Sequence, residues 1–264
     1  MADILDRILA AKRREVDDLR ERTSLEHIEE RARAAPPPRG FEAALRRRIE
    51  TGRPAVIAEI KRASPSHGVM RAYLEPGRLA AIYEENGATC LSVLTDREFF
   101  GGSAEDLRAA REACVLPVLR KDFIIDPWQV FESRAMGADC ILLIVGSVPE
   151  AALCELEATA RSFSMDVLVE CHDAIELESA LRLKSPLIGI NNRDLRSFAI
   201  RLETTLELLP RVPSDRLVVT ESGIGNSEDI SRMFSGGVSA YLVGSALMEA
   251  DDPGKELSRL FSVV

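Results

Sequence analysis

Two apolar patterns alternate along this chain. From residue 55 onward, short runs that are apolar at nearly every position are separated by longer stretches in which apolar residues return at helical spacing. The runs fall at 55–61, 89–95, 117–121, 140–145, 166–171, 187–191, 216–221 and 240–244. A strand that is apolar on both faces must be covered on both faces, as in a parallel sheet flanked by helices. Several intervening stretches open with residues suited to a helix start: Glu75-Pro76, Ser103, Asp126-Pro127, Val148-Pro149 and Asp173. Eight strand–helix units predict a (β/α)8 TIM barrel, a fold that commonly takes about 250 residues. The competing arrangement is an open doubly wound sheet, which would normally carry a glycine-rich phosphate turn after its first strand. Lys61-Arg62-Ala63-Ser64-Pro65-Ser66 is no such turn, so the barrel is favoured.

Ahead of these units, residues 2–33 are charged, with Ile4, Leu5, Ile8, Leu9, Val16 and Leu19 at helical spacing, and read as amphipathic helix. Ala34-Ala35-Pro36-Pro37-Pro38 ends it, because consecutive prolines cannot continue a helix. A short helix, Phe41–Glu50, follows. The expected organisation is a helical extension over 1–50 packed on a catalytic barrel over 51–264, in a single domain overall.

Composition narrows the function classes. With 46% hydrophobic and 29% charged residues there is ample material for a large core, which excludes disorder. A net charge of −9 opposes binding to nucleic acid or to an anionic membrane, so neither is an expected partner. Five cysteines (Cys90, Cys114, Cys140, Cys154, Cys171) form an odd set without CxxC spacing and read as buried thiols in a reducing compartment. The N-terminus has no signal-like segment, and no apolar run approaches the ~20 residues of a membrane span, so a soluble cytoplasmic protein is expected. His27, His67 and His172 lack metal-ligand spacing and read as surface or capping residues; no metal is implied.

Candidate chemistry lies in the choice of cation. Of 34 cationic side chains only five are lysines, and two of these, Lys61 and Lys121, stand at the polar ends of strand-like runs. Arginine stays protonated at any accessible pH, whereas a lysine can exchange a proton or form an imine. In a barrel, reactive groups project from the C-terminal strand ends and the loops beyond. Those ends carry Glu59, Lys61 and Ser64; Lys121 and Asp122; Glu170; Asn191, Asn192 and Arg193; Glu221, Ser222 and Gly223; and Gly244 and Ser245. Interleaved Lys and Glu place acids and bases around one cavity. The Gly/Ser turns after the seventh and eighth strands occupy the usual phosphate site of such barrels, which implies a phosphorylated substrate. Asp96, Asp122 and Asp126 read as turn or cap residues, with Asp122 also placed to orient Lys121.

The segments AEIKRASPSHG, FFGGS, PVLRKDFIIDPWQV, GADCILLI, LVECH, IGINNRDL, TESGI and YLVGSALM together resemble the indole-3-glycerol phosphate synthase family, across essentially the whole chain. The resemblance implies conversion of 1-(2-carboxyphenylamino)-1-deoxyribulose 5-phosphate to indole-3-glycerol phosphate, with loss of carbon dioxide and water and with no cofactor. It implies Lys121 as general acid for ring closure and Lys61 and Glu170 as the acid/base pair for dehydration, their division of labour left open. Glu59 would hold a substrate hydroxyl or tune the lysines, Glu221 would support the same network, and Asn191 would position the sugar chain or a catalytic group. Arg193 would grip the anthranilate carboxylate, a task suited to a planar guanidinium. Phe100 and Phe123 would line the ring pocket, and Ser64, Ser222, Gly223, Gly244 and Ser245 would bind phosphate. The sequence departs from the family pattern at His67, Cys171 and Arg201, none of which replaces an implied catalytic group. The family includes free-standing and fused forms, and no second enzyme domain is read here. A related phosphate-binding barrel isomerase, a Schiff-base aldolase using Lys121, and a non-catalytic sensor are the alternative readings.

Overall fold

The structure, a computed structural model, describes residues 4–194 and 197–262. Parallel strands β1 (Ala55–Ile60), β2 (Cys90–Leu94), β3 (Val118–Lys121), β4 (Cys140–Ile144), β5 (Asp166–Cys171), β6 (Leu187–Asn191), β7 (Leu217–Glu221) and β8 (Ala240–Val243) close into a barrel in chain order. Helices α1 (Ile4–Arg22), α2 (Leu25–Ala34) and α3 (Phe41–Glu50) precede it. Around it run α4 (Pro76–Glu85), α5 (Ala104–Ala113), α6 (Pro127–Ala135), α7 (Glu150–Ser162), α8 (Ala174–Ala180), α9 (Glu203–Leu208), α10 (Ser227–Ser235), α11 (Ser245–Glu249) and α12 (Pro253–Leu260). The expected TIM barrel is the observed fold, with strand limits within a residue or so of the apolar runs.

Helix starts follow the cap chemistry. Ser103 accepts from the Asp106 amide, Asp173 accepts from the Ile175 and Glu176 amides, and Asp126 and Gln129 form a reciprocal capping box. The stretch 2–33 is two helices rather than one. Ser24, in extended backbone, accepts from the His27 amide and starts α2 afresh. A hydroxyl that satisfies a free amide at a new N-terminus outcompetes continuation of the first helix.

Strand alternation carries the argument from fold to site. On each strand every second residue points into the barrel. Toward the N-terminal end these inward residues are apolar, among them Ile57, Cys90, Leu119, Leu168, Leu187, Val219 and Ala240. Continuing along the same inward face by twos leads to Glu59 and Lys61, Lys121, Glu170, Asn191, Glu221 and Gly244. One face of the sheet is therefore core at one end and chemistry at the other.

Helix α3 plugs the apolar end. Phe41 and Leu45 are fully buried and join the inner-barrel cluster. The backbone entering α3 is tied down by two acids: Asp139, fully buried, accepts from the Arg39 amide (2.8 Å) and Asp166, partly buried, from the Glu42 amide (2.9 Å). Arg39 in turn donates to the Arg111, Cys114 and Leu116 carbonyls.

Candidate active site

The C-terminal mouth of the barrel holds a cavity of about 380 Å³, and every residue to which the family resemblance gave a role lines it: Glu59, Lys61, Ser64, Phe100, Lys121, Phe123, Glu170, Asn191, Arg193, Glu221, Ser222, Gly223, Gly244 and Ser245. Lys121 Nζ stands between two buried carboxylates, 2.6 Å from Glu170 Oε2 and 2.8 Å from Glu221 Oε2. Across the same cavity Lys61 Nζ lies 2.9 Å from Glu59 Oε2 and donates to Ser245 Oγ at 3.1 Å. Asn191 Nδ2 donates to Glu170 Oε1 (3.2 Å), and Asn191 Oδ1 accepts from the Arg193 amide.

Two glycines make room for this charge. A side chain at Gly244 would meet Glu59 Oε2 at 2.1 Å, and one at Gly189 would meet Glu221 Oε1 at 2.3 Å. Gly189 pairs in register with Glu170, so its missing side chain is the gap that Glu221 fills from the next strand. After β7, Ser222 and Gly223 both adopt left-handed backbone (φ 63° and 90°).

Burial and pairing compete over each charge. Burial disfavours the Lys121 ammonium, but Glu170, Glu221 and Glu59 outweigh it and hold the group protonated, well above the ordinary lysine range. Burial likewise opposes the Glu170 carboxylate, yet Lys121 and His172 overcome it and keep the carboxyl well below its ordinary value. Glu221 goes the other way: burial, helped by the nearby Glu170 charge, outweighs Lys121 and pushes it up to about 8. The two carboxylates share one lysine and end on opposite sides of neutrality, a division that suits acid–base work. Burial lowers Arg193 from its ordinary value, with Glu59 opposing.

One wall is apolar. Phe100 and Phe123 face each other with ring centroids 6.2 Å apart, and Ile4, Leu5 and Ile8 of α1 close over the same space. Helix α1 is held there by Lys12, only 1% exposed, whose Nζ lies within 2.9 Å of Glu15, Asp96 and Asp122. Asp122 thus faces Lys12 and Arg120 and makes no contact with Lys121, contrary to expectation. Asp126 caps α6 as expected, while Asp96 both receives the Phe99 amide and pairs with Lys12.

Several functional contacts were not anticipated from the sequence. Lys12 stands between Ile8 and Val16 on the buried stripe of α1, and a lysine in that position signals an internal ion pair. His172 is a second surprise: instead of lying free at the surface it is largely enclosed between Glu170 and Glu176. His27 is exposed and His67 half-exposed beside Ser66, as expected. Asn192 is absent from the cavity wall; it fastens the end of β6 to Thr220 and to Thr205 of α9. Arg201 pairs with Glu207 at the surface, and α9 starts without a side-chain cap. Four of the five cysteines are buried, and Cys154 is exposed. Among the described residues no His, Cys, Asp or Glu group has the arrangement of a metal site, and no helix is long and apolar enough to cross a membrane.

Solved structures with the same architecture include thiamine phosphate pyrophosphorylase from Pyrococcus furiosus, with a TM-score of 0.60 and 19% identity over 81% of this chain and 96% of that one. An N-acetylmannosamine-6-phosphate 2-epimerase from Clostridium perfringens gives 0.57 and 14%, over 80% and 93%. At that distance they bear on the fold alone. Fold and site together define a (β/α)8-barrel enzyme with its ionisable groups gathered at the C-terminal mouth. More specifically, the family model for indole-3-glycerol phosphate synthase matches residues 5–260. The chain is also 55% identical over 261 residues to the enzyme so named from Polaromonas naphthalenivorans, covering 99% of each chain. A third comparison, with the Leptothrix cholodnii protein of that name, gives 54% over 262 residues, covering 99% of this chain and all of the other. The chain belongs to the indole-3-glycerol phosphate synthase family, carboxy-lyases of tryptophan biosynthesis that act on a small phosphorylated substrate.

Proposed function

We propose that this family reaction is carried by the two lysine–glutamate groups at the barrel mouth, with Lys121 as the general acid of ring closure. When the aromatic carbon bearing the carboxylate attacks the C2′ ketone, negative charge develops on the ketone oxygen. A protonated amine positioned there lowers the barrier by donating to it. The observation that supports this reading best is Lys121 held between Glu170 and Glu221. That pairing keeps the ammonium charged and fixes its direction. Carbon dioxide then leaves as aromaticity returns.

Dehydration follows, using Lys61 and Glu170 as an acid/base pair. Glu59 anchors Lys61, and Asn191 orients Glu170. Ser64, Ser222, Gly223, Gly244 and Ser245 receive the phosphate, and because Ser245 also accepts from Lys61, phosphate binding and the position of Lys61 are linked. Arg193 takes the carboxylate of the anthranilate ring, which lies against Phe100 and Phe123. With these side chains in place the chemistry needs no cofactor, and the enzyme works free of membrane and nucleic acid in the cytoplasm.

The test is continuous indole fluorescence with 1-(2-carboxyphenylamino)-1-deoxyribulose 5-phosphate as substrate. Lys121→Ala is expected to abolish the rising signal while product binding persists. Near-normal turnover in that variant removes Lys121 from the mechanism. Borohydride in the presence of substrate should leave Lys121 unmodified, whereas trapping would favour imine chemistry.

A further inference from the structure

Beneath Glu170, on the side away from Lys121, His172 is enclosed by two carboxylates. Glu176 Oε2, on α8, accepts from both the His172 backbone amide and ring Nδ1, each at 2.8 Å. Ring Nε2 lies 3.3 Å from Glu170 Oε1, the oxygen that also accepts from Asn191. The ring is 12% exposed and outside the cavity wall, so it has no direct access to substrate.

Geometry sets its charge. A carboxylate facing Nδ1 at hydrogen-bond distance requires a proton on that nitrogen. A bare Nε2 would set the negative end of the ring dipole 3.3 Å from a second carboxylate oxygen, so the charge there favours a proton on this nitrogen too. The Nε2 contact lies outside hydrogen-bond geometry and acts as a charge–charge attraction. Burial weighs against the imidazolium, but Glu170 and Glu176 outweigh it and raise the group to about 10. Other nearby charges lie one contact further off: Asp173 caps α8, and Lys121 from β3, itself paired with Glu221 from β7, faces the opposite oxygen of Glu170.

We propose that His172 is a positioning residue that, braced by Glu176, holds Glu170 ionised as the base of the dehydration step, leaving Lys61 as the acid. This rests on the reading of Glu170 and Lys61 as the acid/base pair and divides their labour. Lys121 alone cannot keep Glu170 charged through the cycle, because it gives up its proton to the ketone oxygen during ring closure. At that moment Glu170 would lose its only formal cation. His172 supplies one that never contacts substrate and never transfers its proton.

The first test is on the unaltered enzyme. Ring 1H–15N correlations of His172 at pH 8 are expected to show both nitrogens protonated; a neutral ring overturns the proposal whatever the variants do. The second compares His172→Gln, Glu176→Gln and the double variant. His172→Gln should lower kcat roughly 10- to 100-fold, the scale of losing a supporting partner of a reactive group. KM should stay within about threefold, and the acid limb of the kcat profile should move to higher pH as Glu170 becomes easier to protonate. Glu176→Gln should move the limb the same way by less, and the double variant should match His172→Gln, since Glu176 acts only through the ring. An unmoved acid limb in both single variants, with only thermal stability lost, reduces His172 to a structural role. Glu170→Gln is measured alongside. If it turns over normally, the assignment of Glu170 itself fails; if it is inactive while both single variants behave as wild type, only the role of His172 does.

Discussion

At its N-terminal end the barrel is closed by Phe41 and Leu45, and the acids there, Asp139 and Asp166, accept from backbone amides, with Asp139 also paired to Arg111. At its C-terminal end the same strands present Lys61, Lys121, Glu59, Glu170 and Glu221, whose charges answer one another across a cavity. A carboxylate held by backbone amides, or by an arginine that never gives up its proton, has one fixed task, and packing around it can be tight. A carboxylate paired with lysine retains a partner whose proton can move. The glycines differ in the same sense: Gly189 and Gly244 are gaps left for charged side chains, and filling either would displace a carboxylate. One end of the barrel optimises apolar packing, while the other gives up apolar packing to keep charges close.

The sharpest way to separate the two ends is Lys121→Ala. Loss of a general acid is expected to lower kcat by roughly 10²- to 10⁴-fold. The unfolding midpoint should move little, because Glu221 can hold a proton and His172 still faces Glu170 once the lysine is gone. A large loss of stability with modest loss of rate would mean that Lys121 is chiefly structural.

Phe41→Ala is the mirror experiment. Emptying a fully buried aromatic site at the plugged end should cost about 3–5 kcal/mol in urea unfolding. The kcat of the molecules that remain folded should be unchanged, and a parallel fall in kcat would show that the two ends are coupled.

Arg193→Ala is expected to raise KM by roughly 10- to 100-fold, the worth of about 1.5–3 kcal/mol for a charged hydrogen bond, with a smaller effect on kcat. Equal losses in both parameters would place Arg193 in the chemical step instead.

The smallest effect concerns Glu221 and has a definite sign. Its folded-state pKa is raised, so the native state holds a proton that the unfolded chain releases. Stability from this group is therefore present below its ordinary value of 4.5 and declines as pH rises toward about 8. Glu221→Gln should remove that decline, so its stability relative to wild type should improve from pH 5 to pH 8 in urea titrations. A constant difference across that range would show that Glu221 does not titrate abnormally.

Much of the barrel was legible because a strand covered on both faces must be apolar throughout, and that leaves a local trace. Lys61 and Lys121 stood out for a related reason: a charge at the end of such a run has few ways to be satisfied. Caps such as Ser103, Asp126 and Asp173 were legible because the hydrogen bond lies within three residues. The break at Ser24 obeys the same local rule, yet the continuing amphipathic pattern masked it. Lys12 and His172 were harder, since each is explained by partners on other elements. A lysine on an apolar stripe and a histidine two residues beyond an inward glutamate are traces of such pairing, but they do not name the partner.

Lys12 also has a consequence for the order of assembly. The helix that bears it is synthesised before its carboxylate partners Asp96 and Asp122, which follow β2 and β3. Until those strands have emerged and paired, Lys12 has nowhere to lose its water, and α1 has no seat. Synthesis proceeds from the N-terminus, so this helix must wait for its berth. The roof of the active site is laid only after the walls beneath it stand.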